Sequence, residues 1–216
     1  MIKTIIGLIK KRINISKFPD SIKKLIYLNP FYINYLIKKG LLTKLPSFNL
    51  AIYMSREQIY TIKKYLKKHD IMLEWGSGGS TTYFSLFVKR YISIEHNKEW
   101  YNLVKNHVSK KVEFHYIKCN LPPTIPSKRC EFKDYIEKVN NLNIKQYDKV
   151  LIDGRARCFC AIEILPYLKK NSIVFVHDFY NRSRYKPILK YYDVIEEIKT
   201  NKGLVVLKPK ITFLNQ

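Results

Sequence analysis

The chain has 216 residues, of which 40 are Lys or Arg and 17 are Asp or Glu, so its net charge near neutral pH is +23. This length suits one domain with an extension, and a hydrophobic content of 46% excludes a wholly disordered chain. The basic excess makes nucleic acid, an anionic membrane surface or an acidic substrate the first partners to consider, without choosing among them.

The cysteines and the apolar runs indicate an intracellular protein. The four cysteines match no disulfide framework of a small secreted domain, so we expect free thiols. No run approaches the ~20 apolar residues of a membrane span, and none near the start is long enough for a signal-peptide core. We therefore expect a cytoplasmic protein. The abundance of Lys, Ile, Asn and Tyr is typical of AT-rich genomes, such as those of parasites or large DNA viruses, and a viral protein would act in the host cytoplasm.

The first third of the chain is basic and predicted to be helical. Residues 1–70 contain 15 Lys or Arg against 3 Asp or Glu, a net charge of +12. The patterns predict helices over Asp20–Leu28, Phe31–Lys39 and Ser55–His69, the last with Ser55 as its N-cap. We therefore divide the chain into a basic helical extension, 1–54, and a main domain, 55–216. The isoleucine spacing at the start favours packing on the domain or on a second copy of the chain, which would give a homo-oligomer, over an interfacial membrane helix.

From residue 71 the pattern predicts alternating strands and helices. Apolar, β-branched runs predict strands over Ile71–Trp75, Tyr91–Glu95, Val112–Ile117, Lys149–Asp153, Ser172–His177, Val194–Ile198 and Leu204–Leu207. The predicted helices are Thr81–Lys89, Lys98–Val108, Phe132–Asn141, Arg157–Lys169 and Arg184–Tyr191. This alternation predicts an α/β fold with a mostly parallel, doubly wound sheet of seven strands. Only Lys199–Gly203 joins the last two strands, so they form an antiparallel C-terminal hairpin.

Three of the seven glycines cluster directly after the first predicted strand, at Gly76, Gly78 and Gly79. Thr81 occupies the place of the third glycine of a dinucleotide fingerprint, and the P-loop spacing is absent. The spacing present is E-x-G-x-G-x-S, which starts at Glu74. Glu95 ends the next strand, 21 residues later, where a carboxylate can accept hydrogen bonds from both hydroxyls of a ribose. A tight turn without a ligand and a solvated strand end are the alternatives.

These residues resemble motifs I and II of the class I S-adenosylmethionine-dependent methyltransferases, over about residues 55–208. More narrowly, LEWGSGGSTTYFS, YISIEHNKEW, VLIDGRARCFCA and VFVHDF are similar to the glucuronoxylan methyltransferase and sugar O-methyltransferase group. Two departures are Ser80 in place of a glycine and Cys119-Asn120 in place of an acid after the third strand. The resemblance implies a Rossmann-like fold and S-adenosyl-L-methionine as cofactor. It implies cofactor binding by Glu74, Gly76, Ser77, Gly78, Ser80, Thr81, Glu95, His96 and Asp153.

Acidic residues also follow the fourth and fifth predicted strands, at Asp153 and at His177-Asp178. A sugar hydroxyl is a poor nucleophile until a base removes its proton or a metal polarises it. We expect Asp178 or His177 to be the general base, and Asp153 to position the acceptor or the methionine end of the cofactor. In some related sugar O-methyltransferases carboxylates at these two strand ends hold a divalent cation, so the resemblance also makes Asp153 and Asp178 candidate metal ligands. Helix capping is the alternative for both.

Four arginines, Arg155, Arg157, Arg182 and Arg184, flank these acids in sequence. Guanidinium groups bind carboxylate or phosphate through paired hydrogen bonds, so an acidic or nucleotide-linked sugar or glycan would suit them, although a solvated loop is an equal alternative. The proline-rich loop Leu121–Lys128 is a candidate wall of that site. Nucleic acid is the second choice of acceptor, through RNA or cap methylation. A third reading is a non-catalytic basic scaffold that binds polyanions.

Overall fold

The computed structural model describes residue 50 and residues 52–180, 182–200 and 202–214. The two helices predicted before residue 40, and with them the proposed oligomer contact, lie outside the described residues. Within the described part of the chain, no helix is both long enough and apolar enough to cross a bilayer.

Over the described residues, seven strands and five α-helices alternate. The strands are β1 (Ile71–Trp75), β2 (Arg90–Glu95), β3 (Val112–Tyr116), β4 (Tyr147–Ile152), β5 (Leu168–His177), β6 (Tyr192–Ile198) and β7 (Leu204–Pro209). The α-helices are α1 (Arg56–Tyr65), α2 (Gly79–Phe84), α3 (Lys98–Lys105), α4 (Lys133–Glu137) and α5 (Arg157–Glu163). Short 3₁₀ segments cover Ser85–Phe87, Cys130–Phe132, Lys138–Asn141, Leu165–Tyr167, Ser183–Lys190 and Ile211–Phe213.

The strands form one sheet in the order β3-β2-β1-β4-β5-β7-β6. The pairs from β3 to β5 are all parallel, whereas β7 runs antiparallel to both β5 and β6. The predicted sheet and its antiparallel C-terminal hairpin are therefore confirmed. Because parallel strands end at the same edge, the carboxyl ends of β1, β2, β4 and β5 come together.

Both faces of the sheet are buried, which explains the continuous apolar strands. Leu73 and Trp75 of β1 face the core beneath α4 and α5, whereas Met72 faces a second core that includes α1 and α2. Ile52 and Met54, inside the predicted extension, also pack in this second core. The first residues of the domain therefore lie a little before residue 55.

The predicted helix starting at Ser55 is confirmed at its N-terminus. The Ser55 hydroxyl accepts the N–H of Gln58 at 3.2 Å, and the Gln58 side chain accepts the N–H of Ser55 at 2.7 Å. This reciprocal pair satisfies two backbone donors that the first turn leaves free.

Several predicted helices are shorter than expected, and proline explains two of the differences. The α5 helix ends at Glu163 rather than at Lys169, and a 3₁₀ turn containing Pro166 leads directly into β5. The last predicted helix is a 3₁₀ segment with Pro187 inside it. Proline has no N–H to donate and clashes with the preceding turn, so it interrupts α-helical geometry.

Candidate functional site

The loops after β1 and β4 are in backbone contact at the carboxyl edge of the sheet. The N–H groups of Asp153 and Gly154 both donate to the Trp75 carbonyl at 2.8 Å. Gly76 has φ of +88°, and a Cβ there would come within 2.3 Å of the Gly154 nitrogen. Only glycine fits this position, since a side chain would be both strained and in collision with the β4 loop. The contact places the glycine loop directly beside the predicted catalytic residues.

Glu74 lies fully buried beneath the glycine loop. Its carboxylate accepts hydrogen bonds from the hydroxyls of Ser80 at 2.5 Å, Thr81 at 2.5 Å and Ser93 at 2.8 Å. Burial raises the pKa of Glu74 to about 7, while these hydroxyls oppose the rise. Three of the residues expected to bind cofactor, Glu74, Ser80 and Thr81, therefore bind one another and shape the loop.

Ser93 was missed by the sequence analysis. A signal existed, because β1 and β2 pair in the register that places Ser93 beside Glu74. A small hydroxyl residue in a fully buried strand needs a hydrogen-bond partner, and the adjacent acid supplies one.

Glu95 ends β2 with both carboxylate oxygens occupied. One oxygen accepts the N–H and the hydroxyl of Ser77 at 3.0 Å each, and the other accepts the N–H groups of His96 and Asn97 at 2.8 Å. Burial alone would raise the pKa of Glu95, but the hydrogen bonds to the charged form outweigh it and lower the pKa. Glu95 is therefore ionised at neutral pH, and it bridges the glycine loop and the start of α3.

Trp100, in α3, contacts the glycine loop. Its indole N–H donates to the Ser77 carbonyl at 2.6 Å, and a Cβ at Gly78 would contact the indole ring at 3.7 Å. The sequence analysis did not identify Trp100. Trp100 lies in the first turn of α3, after the N-cap residue Asn97, whose side chain accepts the Trp100 N–H at 2.8 Å. This position next to a helix cap could have identified it from the sequence.

The Glu95 carboxylate, a hydrogen-bond acceptor, fits the two ribose hydroxyls of S-adenosyl-L-methionine, a cationic nucleoside. Among the described residues no Lys or Arg forms an ion pair with Glu74 or Glu95, and the basic side chain that contacts Glu95 is the His96 imidazole, with Nδ1 at 3.0 Å from Glu95 Oε1. The buried hydroxyl of Tyr135 has no hydrogen-bond partner and lies 2.1 Å from where a Cβ of Gly154 would be. Binding a ribose at Glu95 requires that the Ser77 hydrogen bonds be exchanged for those of the ligand.

The predicted catalytic residues Asp153, His177 and Asp178 form one cluster at the ends of β4 and β5. His177 Nδ1 lies 2.7 Å from Asp153 Oδ1 and 3.7 Å from Asp178 Oδ1. The other ring nitrogen, Nε2, lies 3.3 Å from the Gln58 side-chain oxygen, and both residues are buried. Gln58 was missed, although a polar residue on the apolar face of a predicted helix is the kind of signal that identifies such a partner.

Arg157 holds the ends of β4 and β5 together. Its guanidinium group donates to the carbonyls of Gly154 and Asp153 at 2.8 Å each, and also to that of His177. Asp178 pairs with Arg182 at 3.0 Å and with Arg157 at 3.6 Å. Arg157 thus supports the backbone of the cluster from a buried position.

The cluster does not present a ready divalent-cation site. Across the described ranges, no group of three or more His, Cys, Asp or Glu side chains converges in a way that could hold a metal ion. Asp153 and Asp178 are each within 3.6 Å of the Arg157 guanidinium group, which competes for their oxygens.

No protein-family model matches the sequence, and no curated protein matches it. Solved structures do share its fold. A methyltransferase-like protein from Silicibacter pomeroyi has a TM-score of 0.56 at 19% identity, covering 74% of this chain and 89% of that one. A provisionally assigned caffeoyl-CoA O-methyltransferase from Staphylococcus aureus has a TM-score of 0.53 at 18% identity, covering 89% and 100%.

A precorrin-6y C5,15-methyltransferase from Geobacter metallireducens is also similar, with a TM-score of 0.50 at 14% identity, covering 74% of this chain and 89% of that one. Identities this low establish the fold alone. The chain therefore has the Rossmann-like fold found in methyltransferases.

Proposed function

We propose that the protein is an S-adenosyl-L-methionine-dependent methyltransferase that methylates a hydroxyl oxygen of a sugar or glycan. The observation that carries the proposal is the backbone contact between Gly76 and Gly154. It joins the glycine loop, with the ionised Glu95 beside it, to the acids that follow β4 and β5. Cofactor and acceptor sites would then be adjacent, as a direct methyl transfer requires.

On the cofactor side, this chain's residues bind and orient. Glu95 accepts the ribose hydroxyls once Ser77 releases it, and His96 lies next to the nucleoside. Asp153, whose side chain is 24% exposed, faces the methionine end. The bound cofactor supplies a methyl group activated by its positively charged sulfur.

On the acceptor side, Asp178 removes the proton of the acceptor hydroxyl. Its side chain is 17% exposed, whereas that of His177 is 6% exposed and hydrogen-bonded on both ring nitrogens. Bound S-adenosyl-L-methionine would supply the methyl group to the acceptor oxygen and leave as S-adenosylhomocysteine, and the Asp178 carboxylate would take the hydroxyl proton. His177 positions Asp153 and does not contact the acceptor.

RNA is the second candidate acceptor, and the net charge of +23 favours it. The two readings share the cofactor and differ in the acceptor. A scaffold that binds polyanions without catalysis would bind RNA but would transfer no methyl group.

Calorimetry with S-adenosylhomocysteine tests the cofactor assignment, and we expect a measurable heat of binding and a raised melting temperature. No heat together with an unchanged melting temperature would contradict it. Transfer of radiolabelled methyl groups onto nucleotide sugars, free glycans and RNA then tests the acceptor. Labelling of RNA alone would overturn the sugar assignment, and labelling of nothing despite cofactor binding would favour the scaffold.

A further inference from the structure

A cavity of about 550 Å³ lies beside the acid cluster, between α5, the Ser183–Lys190 segment and the proline-rich loop. Four of the fourteen residues that line it are arginines, and none is acidic. They are Arg155, Arg157, Arg182 and Arg184, the four that flank the predicted catalytic acids in sequence. The fold therefore gathers these arginines around one concave space.

Two of the four arginines already bind groups of the protein itself. Arg157 is buried against three backbone carbonyls, and Arg182 pairs with Asp178 at 3.0 Å. Their charges are balanced by Asp153 and Asp178, which lie within 3.6 Å of one or both guanidinium groups. These two residues join the cavity to the catalytic cluster.

Within the described ranges, the charges of the other two arginines are not balanced by an acidic side chain. Among the residues that the structure describes, no carboxylate oxygen lies within ion-pair distance of Arg155 or Arg184. Arg155 donates to the Thr124 carbonyl at 2.7 Å, but its buried Nε–H has no partner. Because Arg155 also lines the cavity, its uncompensated charge would attract an anionic ligand there.

Tyr185 holds two of the guanidinium groups in place. The group of Arg182 lies 5.7 Å from the centre of the Tyr185 ring, and that of Arg184 lies 5.2 Å from it. Arg182 also donates to the Tyr185 hydroxyl at 3.1 Å. Stacking on one buried ring fixes these side chains before a ligand arrives, which lowers the entropic cost of binding.

We propose that this cavity binds an anionic group of the acceptor, a carboxylate or a phosphate, through Arg155 and Arg184. This inference rests on the proposed function and narrows it, because the methylated hydroxyl would belong to an acidic sugar. Two unpaired guanidinium groups suit planar or tetrahedral oxyanions. The volume falls in the range of small-molecule pockets, roughly 300–1,000 Å³, so it suits a sugar unit or a glycan end rather than a nucleic-acid duplex.

The test measures binding of three sugars to the full chain by calorimetric titration: glucose, glucuronic acid and glucose 6-phosphate. We expect both acidic sugars to bind at least fivefold more tightly than glucose, and the tighter of the two identifies the oxyanion. The Arg155→Gln/Arg184→Gln variant should lose this preference. Because Arg184 is exposed, Arg184→Gln alone should fold normally and lose part of it.

The matched control is Lys110→Gln/Lys111→Gln, which removes two exposed charges at the opposite edge of the sheet, ahead of β3. This control should keep the full preference. Equal affinity for the three sugars, or an equal loss in the control and in the arginine variants, would overturn the proposal. A different result would favour a nucleic-acid site: the three sugars bind equally, and an RNA oligonucleotide displaces them from the wild-type protein but not from Arg184→Gln.

Titration with S-adenosylhomocysteine in the same samples separates the two proposals. Cofactor binding without an acidic preference would leave the methyltransferase assignment standing and remove the anion site. An acidic preference without cofactor binding would do the reverse.

Discussion

Two pairs of carboxylates lie along the same edge of the sheet, and the protein compensates them in different ways. Glu74, within β1, and Glu95, the last residue of β2, are satisfied by hydroxyl and backbone N–H groups and, at Glu95, by the His96 imidazole. Asp153 and Asp178, after β4 and β5, are satisfied largely by guanidinium groups. Neutral donors stabilise a charge without cancelling it, whereas an arginine cancels it.

This difference divides one crevice into two electrostatic halves. The half beside the glycine loop keeps the negative charge of Glu95, which suits a cationic cofactor. The half beside β5 has four arginines against two acids, which suits an anionic acceptor. Adjacent sites of opposite charge would favour the correct placement of each reactant and oppose the reverse placement.

Replacing the base on the arginine side should have the largest effect. Asp178 has φ of +53°, and asparagine tolerates this left-handed conformation well, so Asp178→Asn should fold with little strain. It cannot take a proton, so we expect turnover to fall about 1000-fold, within the range of general-base catalysis. Methyl transfer measured at saturating substrates checks this, with S-adenosylhomocysteine affinity as the control. Full turnover would remove Asp178 from the mechanism.

The buried carboxylate on the glycine side should govern how stability varies with pH. The folded-state pKa of Glu74 is raised from 4.5 to about 7, so the folded protein binds a proton that the unfolded chain has lost. The contribution of Glu74 to stability is therefore complete below about pH 4.5 and declines as the pH rises through 7. Glu74→Gln, which never ionises, should remove a pH dependence of about 3 kcal/mol.

Urea unfolding at pH 5 and pH 8 measures this dependence. The wild-type protein should lose more stability than the variant between the two values. Parallel behaviour of the two proteins would show that Glu74 ionises freely in the fold, and that hydroxyl donors alone can hold its charge.

The second glycine-side carboxylate should govern cofactor affinity. In Glu95→Gln one carboxylate oxygen becomes an NH₂ group, which cannot accept hydrogen bonds. The N–H groups either of Ser77 in the glycine loop or of His96 and Asn97 before α3 then lose their acceptor. We expect S-adenosylhomocysteine to bind about tenfold more weakly, a loss typical of one charged hydrogen bond. Glu99→Gln, on the exposed surface of α3, is the matched control and should bind normally. Unchanged affinity in Glu95→Gln would refute the ribose role of Glu95.

The sequence predicted the sheet better than the helices. The strands are continuous apolar runs because both faces of the sheet are buried, and β1 matches the predicted Ile71–Trp75 at both ends. Helix ends depend on weaker local signals. At α5 the periodic pattern continued past Glu163, and the effect of Pro166 was not weighed against it.

Within the site, the sequence identified the acids and several of their partners, but not Gln58 or Ser93. Strand ends and glycine spacing point to Glu74, Glu95, Asp153 and Asp178, because topology places them at one edge. The two that were missed are distant in sequence from the residues that they contact: Gln58 lies 119 residues before His177, and Ser93 lies 19 residues after Glu74. The first contact follows from how α1 packs on the sheet and the second from the register of β1 and β2, and periodicity alone specifies neither.

Salt should produce the smallest effect, and it should separate the two halves of the crevice. S-adenosylhomocysteine has no net charge at neutral pH, so its affinity should hardly change with ionic strength. An acidic sugar that binds Arg184, an exposed residue, should lose about threefold in affinity between 50 and 300 mM NaCl, because added salt shortens the distance over which exposed charges interact. The loss stays small because Arg155 is partly buried and less screened. Calorimetric titration of both ligands across this range measures it, and an affinity of the acidic sugar that does not change with salt would show that the exposed charge of Arg184 does not hold it.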